Sequence, residues 1–243
     1  MSTQIVFVHG IRTSATMWRA QTTYLDEQEY ASTAVDLPGH GSRMDEDFTL
    51  HEALHTIDAT VRAAAEKGPV VLVGHSMGGL LCLAYVGGAQ RPPVAALVAA
   101  SCTSLPHGAG LRAYRLFARA VDSLPDRGMW LTGRVLEATI PTETRSDFAA
   151  GGYALDMQDT ALRSLAALDI AAAVPRIAVP LWFVNGQYDQ LRLNESLFRR
   201  LAPHAELLIV PRTTHLVTAM RPRVFNAVLQ LAIATVEEEQ PGS

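Results

Sequence analysis

The sequence predicts an α/β fold, a mostly parallel sheet with helices on both faces. Three observations carry that expectation. Short apolar runs rich in β-branched residues alternate with longer stretches of helical periodicity, the pattern of strands joined by crossover helices. Gly- and Pro-punctuated loops close several of those runs on their C-terminal side. One run, Val70-Val71-Leu72-Val73, passes through Gly74-His75-Ser76-Met77-Gly78 into an apolar helical stretch reaching Ala89.

Taken in order, Gln4–Val8 reads as a buried first strand and His9–Ser14 as the loop at its C-terminal end. Met17 to about Asp26 is helical, with Trp18, Thr22 and Leu25 on one face. Ser32–Asp36 is a second strand, stopped by Leu37-Pro38-Gly39-His40-Gly41-Ser42. From Thr49 to Glu66, Leu50, Ala53, Leu54, Ile57 and Val61 recur at helical spacing, and Thr49 with Glu52 resembles a capping box. Residues 70–73 are the third strand and 94–100 the fourth. From 104 to 169 only helical stretches occur (111–124, 128–138 and 156–168), broken by prolines and Gly151-Gly152, which reads as a helical insertion. Strands at 181–184 and 206–210 enclose a helix near 193–201. A helix from Arg221 to about Val236 closes the fold, and 237–243 reads as a disordered tail.

At 243 residues, 49% hydrophobic and 18% charged, the chain can bury a large core. A net charge of −4 without a basic cluster argues against nucleic acid as a partner. The apolar run at 4–8 is too short for a signal segment or a membrane span, so a cytoplasmic protein is expected. Cys82 and Cys102 read as small core residues instead of a disulfide framework. Oligomeric state is not legible.

The strand–turn–helix around Ser76 is the context of a nucleophile elbow, in which a serine sits on a sharp turn at the tip of a strand. Gly74 and Gly78 leave room for close backbone approach, and the helix N-terminus favours developing negative charge. A serine hydroxyl needs an adjacent base. Of the eight histidines, His9 and His40 lie in glycine loops that suggest backbone roles. His75 should point its ring away from the Ser76 side chain, and His51 and His55 share a helix distant from the strand ends. His107 lies in the insertion and His204 precedes a strand, which leaves His215, directly after the last strand. Asp189 is the one acid in the loop after the fifth strand and is the expected orienting carboxylate. The expected oxyanion donors are the backbone N–H groups of Met77 and Ile11. Arg12 reads first as a surface charge and otherwise as a contact for an anionic substrate group.

These segments together resemble the α/β-hydrolase family, particularly its small cap-bearing esterase, thioesterase and C–C hydrolase branch. The resemblance spans nearly the whole chain. Besides the elbow it includes Val8-His9-Gly10, Asp36–Ser42, Val179–Asp189 and the loop at His215. The order Ser76, Asp189, His215 is the one the family uses. It implies a core of residues 1–103 and 170–243 under a helical cap of 104–169. It also implies a cofactor-free serine hydrolase that cleaves an ester or thioester through an acyl-enzyme, but its motifs are poor guides to substrate; the expectation of a small-to-medium apolar or aromatic substrate comes from the residues of the insertion. Two departures are visible: Thr213-Thr214 stands where a small residue or glycine often precedes the histidine, and the antiparallel leading strands of larger members are expected to be missing or reduced.

The insertion supplies Leu111, Tyr114, Phe117, Met129, Trp130, Leu131, Phe148 and Tyr153 as candidate pocket residues. Of these, Trp130 and Tyr153, with Arg12, are the expected substrate contacts. Arg112, Arg115, Arg119, Arg127 and Arg134 also make it basic, which suits a substrate carboxylate or phosphate should any turn inward. Rival readings keep the same residues for a C–C hydrolase, lyase, cofactor-free oxygenase or perhydrolase, or make the fold a non-catalytic ligand receptor. His51-Glu52-Ala53-Leu54-His55 matches a zinc-protease helix literally, but it lies on a crossover helix and has no evident third ligand, so no metal is expected.

Overall fold

The computed structural model describes residues 2–239, except the side chains at positions 109, 110, 113, 114 and 117. Six parallel strands form one sheet: β1 (Gln4–Val8), β2 (Ala31–Val35), β3 (Val70–His75), β4 (Ala96–Ala100), β5 (Leu181–Gly186) and β6 (Glu206–Val210). Their spatial order is β2-β1-β3-β4-β5-β6. Helices α1 (Arg19–Glu27), α2 (Leu50–Ala65) and α3 (Met77–Val86) follow the first three strands in turn. Between β4 and β5 run α4 (Gly108–Asp122), α5 (Met129–Thr139), α6 (Thr142–Ala149), α7 (Gln158–Leu165) and α8 (Ile170–Ala173). α9 (Glu195–Leu201) precedes β6, and α10 (Val217–Met220) and α11 (Pro222–Glu238) end the described chain.

The alternation of side chains along a strand divides the core in two. Val6 and Val8 of β1, Leu72 of β3 and Phe183 of β5 pack with α2 and α3 on one face. Ile5 and Phe7, Val71 and Val73, and Trp182 and Val184 pack with Trp18, Leu25 and Phe225 on the other. The four inner strands are buried throughout, which is why they read as unbroken apolar runs, whereas the edge strands β2 and β6 are partly exposed. Truncation of a fully buried ring such as Phe7 to alanine costs about 3–5 kcal/mol. Cys82 and Cys102 are both buried and free.

Where the structure departs from the sequence reading, the reasons are local. β3 and β5 continue through Gly74-His75 and Asn185-Gly186, because ladder pairs such as His75 with Ala100 and Gly186 with Val210 need only backbone groups. α6 was not expected: Thr144 and Phe148 are its buried residues, too few anchors to register as a periodicity. Residues 237–238 belong to α11 instead of a disordered tail, and Glu237 accepts a hydrogen bond from the Thr3 hydroxyl at 3.2 Å. Residues 240–243 of that expected tail lie outside the described residues. The Thr49 cap is as expected, its side chain accepting from the Glu52 amide at 3.1 Å. Among the described residues, no helix is long and apolar enough to cross a membrane.

Candidate active site

Parallel strands all end on one side, and the loops there meet at Ser76. Ser76 follows β3 with φ 54° and ψ −115°, a strained conformation that sets its side chain on the turn into α3. The turn is tight enough that a Cβ on Gly78 would collide with the carbonyls of Val8 and His9, so only glycine lets α3 start this close to β1. The Ser76 amide bonds to Ala100 O at 2.8 Å, which anchors the turn to β4.

Ser76 Oγ lies 2.9 Å from His215 Nε2. The other ring nitrogen, Nδ1, lies 3.1 and 3.2 Å from the two carboxylate oxygens of Asp189. A carboxylate accepts, so Nδ1 carries the proton and Nε2 is left to accept from the serine hydroxyl. Burial pushes the Asp189 carboxyl up, but the His215 hydrogen bond, its charge and the Leu191 amide at 2.8 Å outweigh that and hold it below its ordinary value. The arrangement can take a proton from Ser76, hold it on a ring whose charge Asp189 balances, and return it to a departing group.

Neighbouring histidines hold this geometry from behind. His75 Nε2 donates to the His215 carbonyl at 2.9 Å, so the residue before the serine fixes the loop that carries the base. The His9 ring donates from Nδ1 to Gly10 O at 2.8 Å and accepts the Leu37 amide on Nε2 at 3.0 Å, which ties the loop after β1 to the loop after β2. His40 Nδ1 donates to Pro38 O at 2.9 Å in that second loop. Burial pushes both His9 and His75 down to about 3, so each is a neutral strut. The sequence marked His75 as a non-participant. Its place inside the elbow was the visible signal, but nothing in sequence reports a ring reaching a backbone carbonyl 140 positions away. Gly186 was missed in the same way: a Cβ there would collide with Thr214 O, so a glycine at the end of β5 makes room for the loop before His215. Thr213 is buried and bonds back to Val210 O at 2.8 Å, which accommodates the departure noted in that loop.

Two cavities meet at Ile11, and Ser76 borders the smaller. The smaller, about 60 Å³, is lined by Ser76, Met77 and Ile11 together with leucines that include Leu111, Leu162 and Leu165. The larger, about 300 Å³, is lined by Ile11, Arg12, Phe148, Tyr153, Gln158 and Leu216, among others. Ile11 and Met77 thus border the space beside Ser76, and Met77 opens α3, where an amide lacks a helical acceptor. Arg12 is half-buried and lines the larger cavity, so it is not a plain surface charge. Tyr153 lines the same cavity; burial raises its hydroxyl, against the pull of the Arg12 charge. Trp130 is not brought to the site. It is 70% exposed on the outer side of α5 and lines neither cavity. The side chains of Tyr114 and Phe117 lie outside the described residues. Arg115 and Arg119 pair with Asp159, Arg127 with Asp122, and Arg134 with Glu137, within the insertion.

His51 is 85% exposed on α2 and stacks on His55, and among the described residues no group of three or more metal-ligating side chains is assembled.

The fold and the strand-end loops define a hydrolase-type α/β protein, and comparison with known proteins agrees. The chain belongs to the alpha/beta hydrolase family, whose pattern matches residues 5–228. It is 30% identical over 157 residues to Lipase LipV of Mycobacterium tuberculosis, which covers 62% of this chain and 51% of that protein. The matched segments span 30% to 51% of the length of the curated relatives. Among solved structures, E-2-(acetamidomethylene)succinate hydrolase superposes with a TM-score of 0.77 at 22% identity, covering 96% of this chain and 92% of that one. The bromoperoxidase of Bacillus anthracis superposes equally well, with a TM-score of 0.77 at 19% identity over 96% and 92%. At these identities the two structures speak to the fold alone.

Proposed function

We propose that this protein is a serine hydrolase that cleaves a carboxylic ester or thioester through an acyl-enzyme. The carrying observation is the continuous contact from Ser76 Oγ through the His215 ring to Asp189. In this reading Ser76 attacks the carbonyl, His215 takes its proton and gives it to the leaving group, and Asp189 holds the ring in its productive tautomer. The amides of Met77 and Ile11 receive the oxyanion. Residues 1–103 and 170–243 form the core, and 104–169 act as a cap that walls both cavities. LipV, a lipase by name, supports ester chemistry. No cofactor enters the scheme, and the substrate is a small molecule.

A fluorophosphonate probe with a panel of p-nitrophenyl esters tests the reading. Wild type should label and turn over. Ser76→Ala should lose the label and fall by several powers of ten in kcat, roughly 10⁴-fold or more. Full activity in Ser76→Ala would sink the proposal. Labelling without turnover of any ester would move the same residues to C–C cleavage, lyase or perhydrolase chemistry.

A further inference from the structure

We infer that the two cavities divide the substrate, so that a short apolar acyl group occupies the smaller and a bulky anionic leaving group occupies the larger, its negative charge beside Arg12. This rests on the ester-hydrolase reading and adds to it the substrate class.

The division follows from which groups border which space. The acyl carbon is bonded to Ser76 Oγ in the intermediate. Ser76 and Met77 border only the smaller cavity, whose volume is about 60 Å³. At on the order of 15–30 Å³ per water-sized group, such a space holds roughly two to four carbons. Its walls are mostly apolar, Leu80, Leu105, Leu162 and Leu165 among them, with Ser104 the one polar side chain besides Ser76 among the described lining residues. The leaving group departs towards His215, and the next residue, Leu216, borders only the larger cavity. That cavity, at about 300 Å³, is wide enough for a ring. Ile11 borders both, which places the expected oxyanion amide at the junction.

The larger cavity is apolar along Val121, Val135, Leu136 and Phe148, and among its described lining residues Arg12 carries the one formal charge, its guanidinium also approaching Met129 Sδ at 3.9 Å. Tyr153 and Gln158 add hydrogen-bonding groups to the same wall. The backbone of Arg12 is constrained as well. It is held at φ 64°, in the left-handed region where glycine or asparagine is the cheaper residue. The turn Gly10–Thr13, closed by the Thr13 amide on Gly10 O at 3.4 Å, does not call for an arginine. Arg127 and Arg212 share that conformation, so what singles out Arg12 is its place on the cavity wall. An apolar wall with one guanidinium suits an aromatic or branched alcohol, or thiol, that bears a carboxylate or a phosphate.

The test uses acetate, butyrate and octanoate esters of 3-(4-hydroxyphenyl)propionate, each beside the matching ester of its primary amide, which is close in size to the carboxylate, carries no charge and adds no second ester. Wild type should favour the carboxylate form at least tenfold in kcat/KM, and butyrate over octanoate at least tenfold. Arg12→Asn keeps a residue that accepts the left-handed turn, and it should bring the charged-to-neutral ratio near one. Arg12→Lys should restore part of it. Leu162→Ala should narrow the butyrate preference without altering the charge ratio. Turnover that depends on Ser76 but shows neither preference overturns the division and leaves the hydrolase reading standing. Labelling of Ser76 with no ester turned over overturns the division as well. Neither labelling nor turnover overturns both.

Discussion

The strand-end loops and the helical segment between β4 and β5 are held by different physics. In the loops the bonded polar groups are buried: His9 bonds to Gly10 and Leu37, His75 to the His215 carbonyl, Asp189 to His215 and the Leu191 amide. In the segment the polar pairs sit at the surface, as Arg115, Arg119 and Arg163 do around Asp159, and large apolar side chains such as Leu116, Trp130 and Val135 stay exposed. A buried group whose partner is removed costs its full desolvation, whereas an exposed ion pair is nearly replaceable by water. The comparison teaches that the side chains around Ser76 are fixed tightly, while the segment between β4 and β5 is held by surface pairs that water can replace. It can be broken by finding a soft loop or a stiff segment.

The largest effect belongs to the loops. Asp189→Asn keeps size and a hydrogen bond but offers His215 the wrong tautomer, so kcat should fall by up to about 10⁴-fold, about 5 kcal/mol, with the fold intact by circular dichroism. A loss below about tenfold would transfer the orienting role to another carboxylate and weaken the account of these loops as the rigid region.

The next effect separates the two regions by pH. Burial holds His9 and His75 down to about 3 in the folded protein, against an ordinary value of 6.5. Between those values the unfolded chain binds protons that the folded chain does not. Stability therefore falls as pH falls from 6.5 towards 3, by up to about 1.4 kcal/mol per pH unit for each ring. His40, lowered by the same burial, acts in the same direction. The segment's Asp159 is lowered instead by its arginine neighbours, Arg115 first, so its contribution is lost only below the ordinary carboxylate range. Urea midpoints from pH 7 to pH 5 should drop steeply in the wild type, and His75→Gln, which has no proton to gain, should flatten the slope. An unchanged slope in that variant would remove His75 as a buried neutral strut.

The same contrast explains what the sequence disclosed. The strands, the elbow at Ser76 and the candidate pair Asp189 and His215 were legible because each rests on local pattern: an apolar run, a turn that needs glycine, an acid alone in its loop. Trp130 was misplaced because an aromatic on a surface helix looks the same in sequence whichever way its face turns. α6 escaped because its charged sequence has few apolar anchors, and its place is set by long-range bonds such as Thr144 Oγ1 to Ala219 O at 2.9 Å. The supports at His75 and Gly186 depend on chain segments far apart in sequence, and no spacing rule reports those.

The smallest expected effect is on the segment itself. Asp159 lies among three arginines on α4 and α7, yet its side chain is 36% exposed and those of Arg119 and Arg163 are more so. Water screens such a cluster, and exposed pairs contribute about 0.2–1 kcal/mol each. Asp159→Ala should therefore cost at most about 1 kcal/mol, a shift of about 2–4 °C in Tm for a chain of this size. At 1 M salt, where the Debye length is about 3 Å, the difference from wild type should nearly vanish. Because α7 carries Leu162 and Leu165 into the smaller cavity, the variant should show its effect more in KM for the longer acyl chains than in kcat. A loss above about 2 kcal/mol that survives high salt would mean that the segment is locked as firmly as the loops, and the contrast between the two regions would fail.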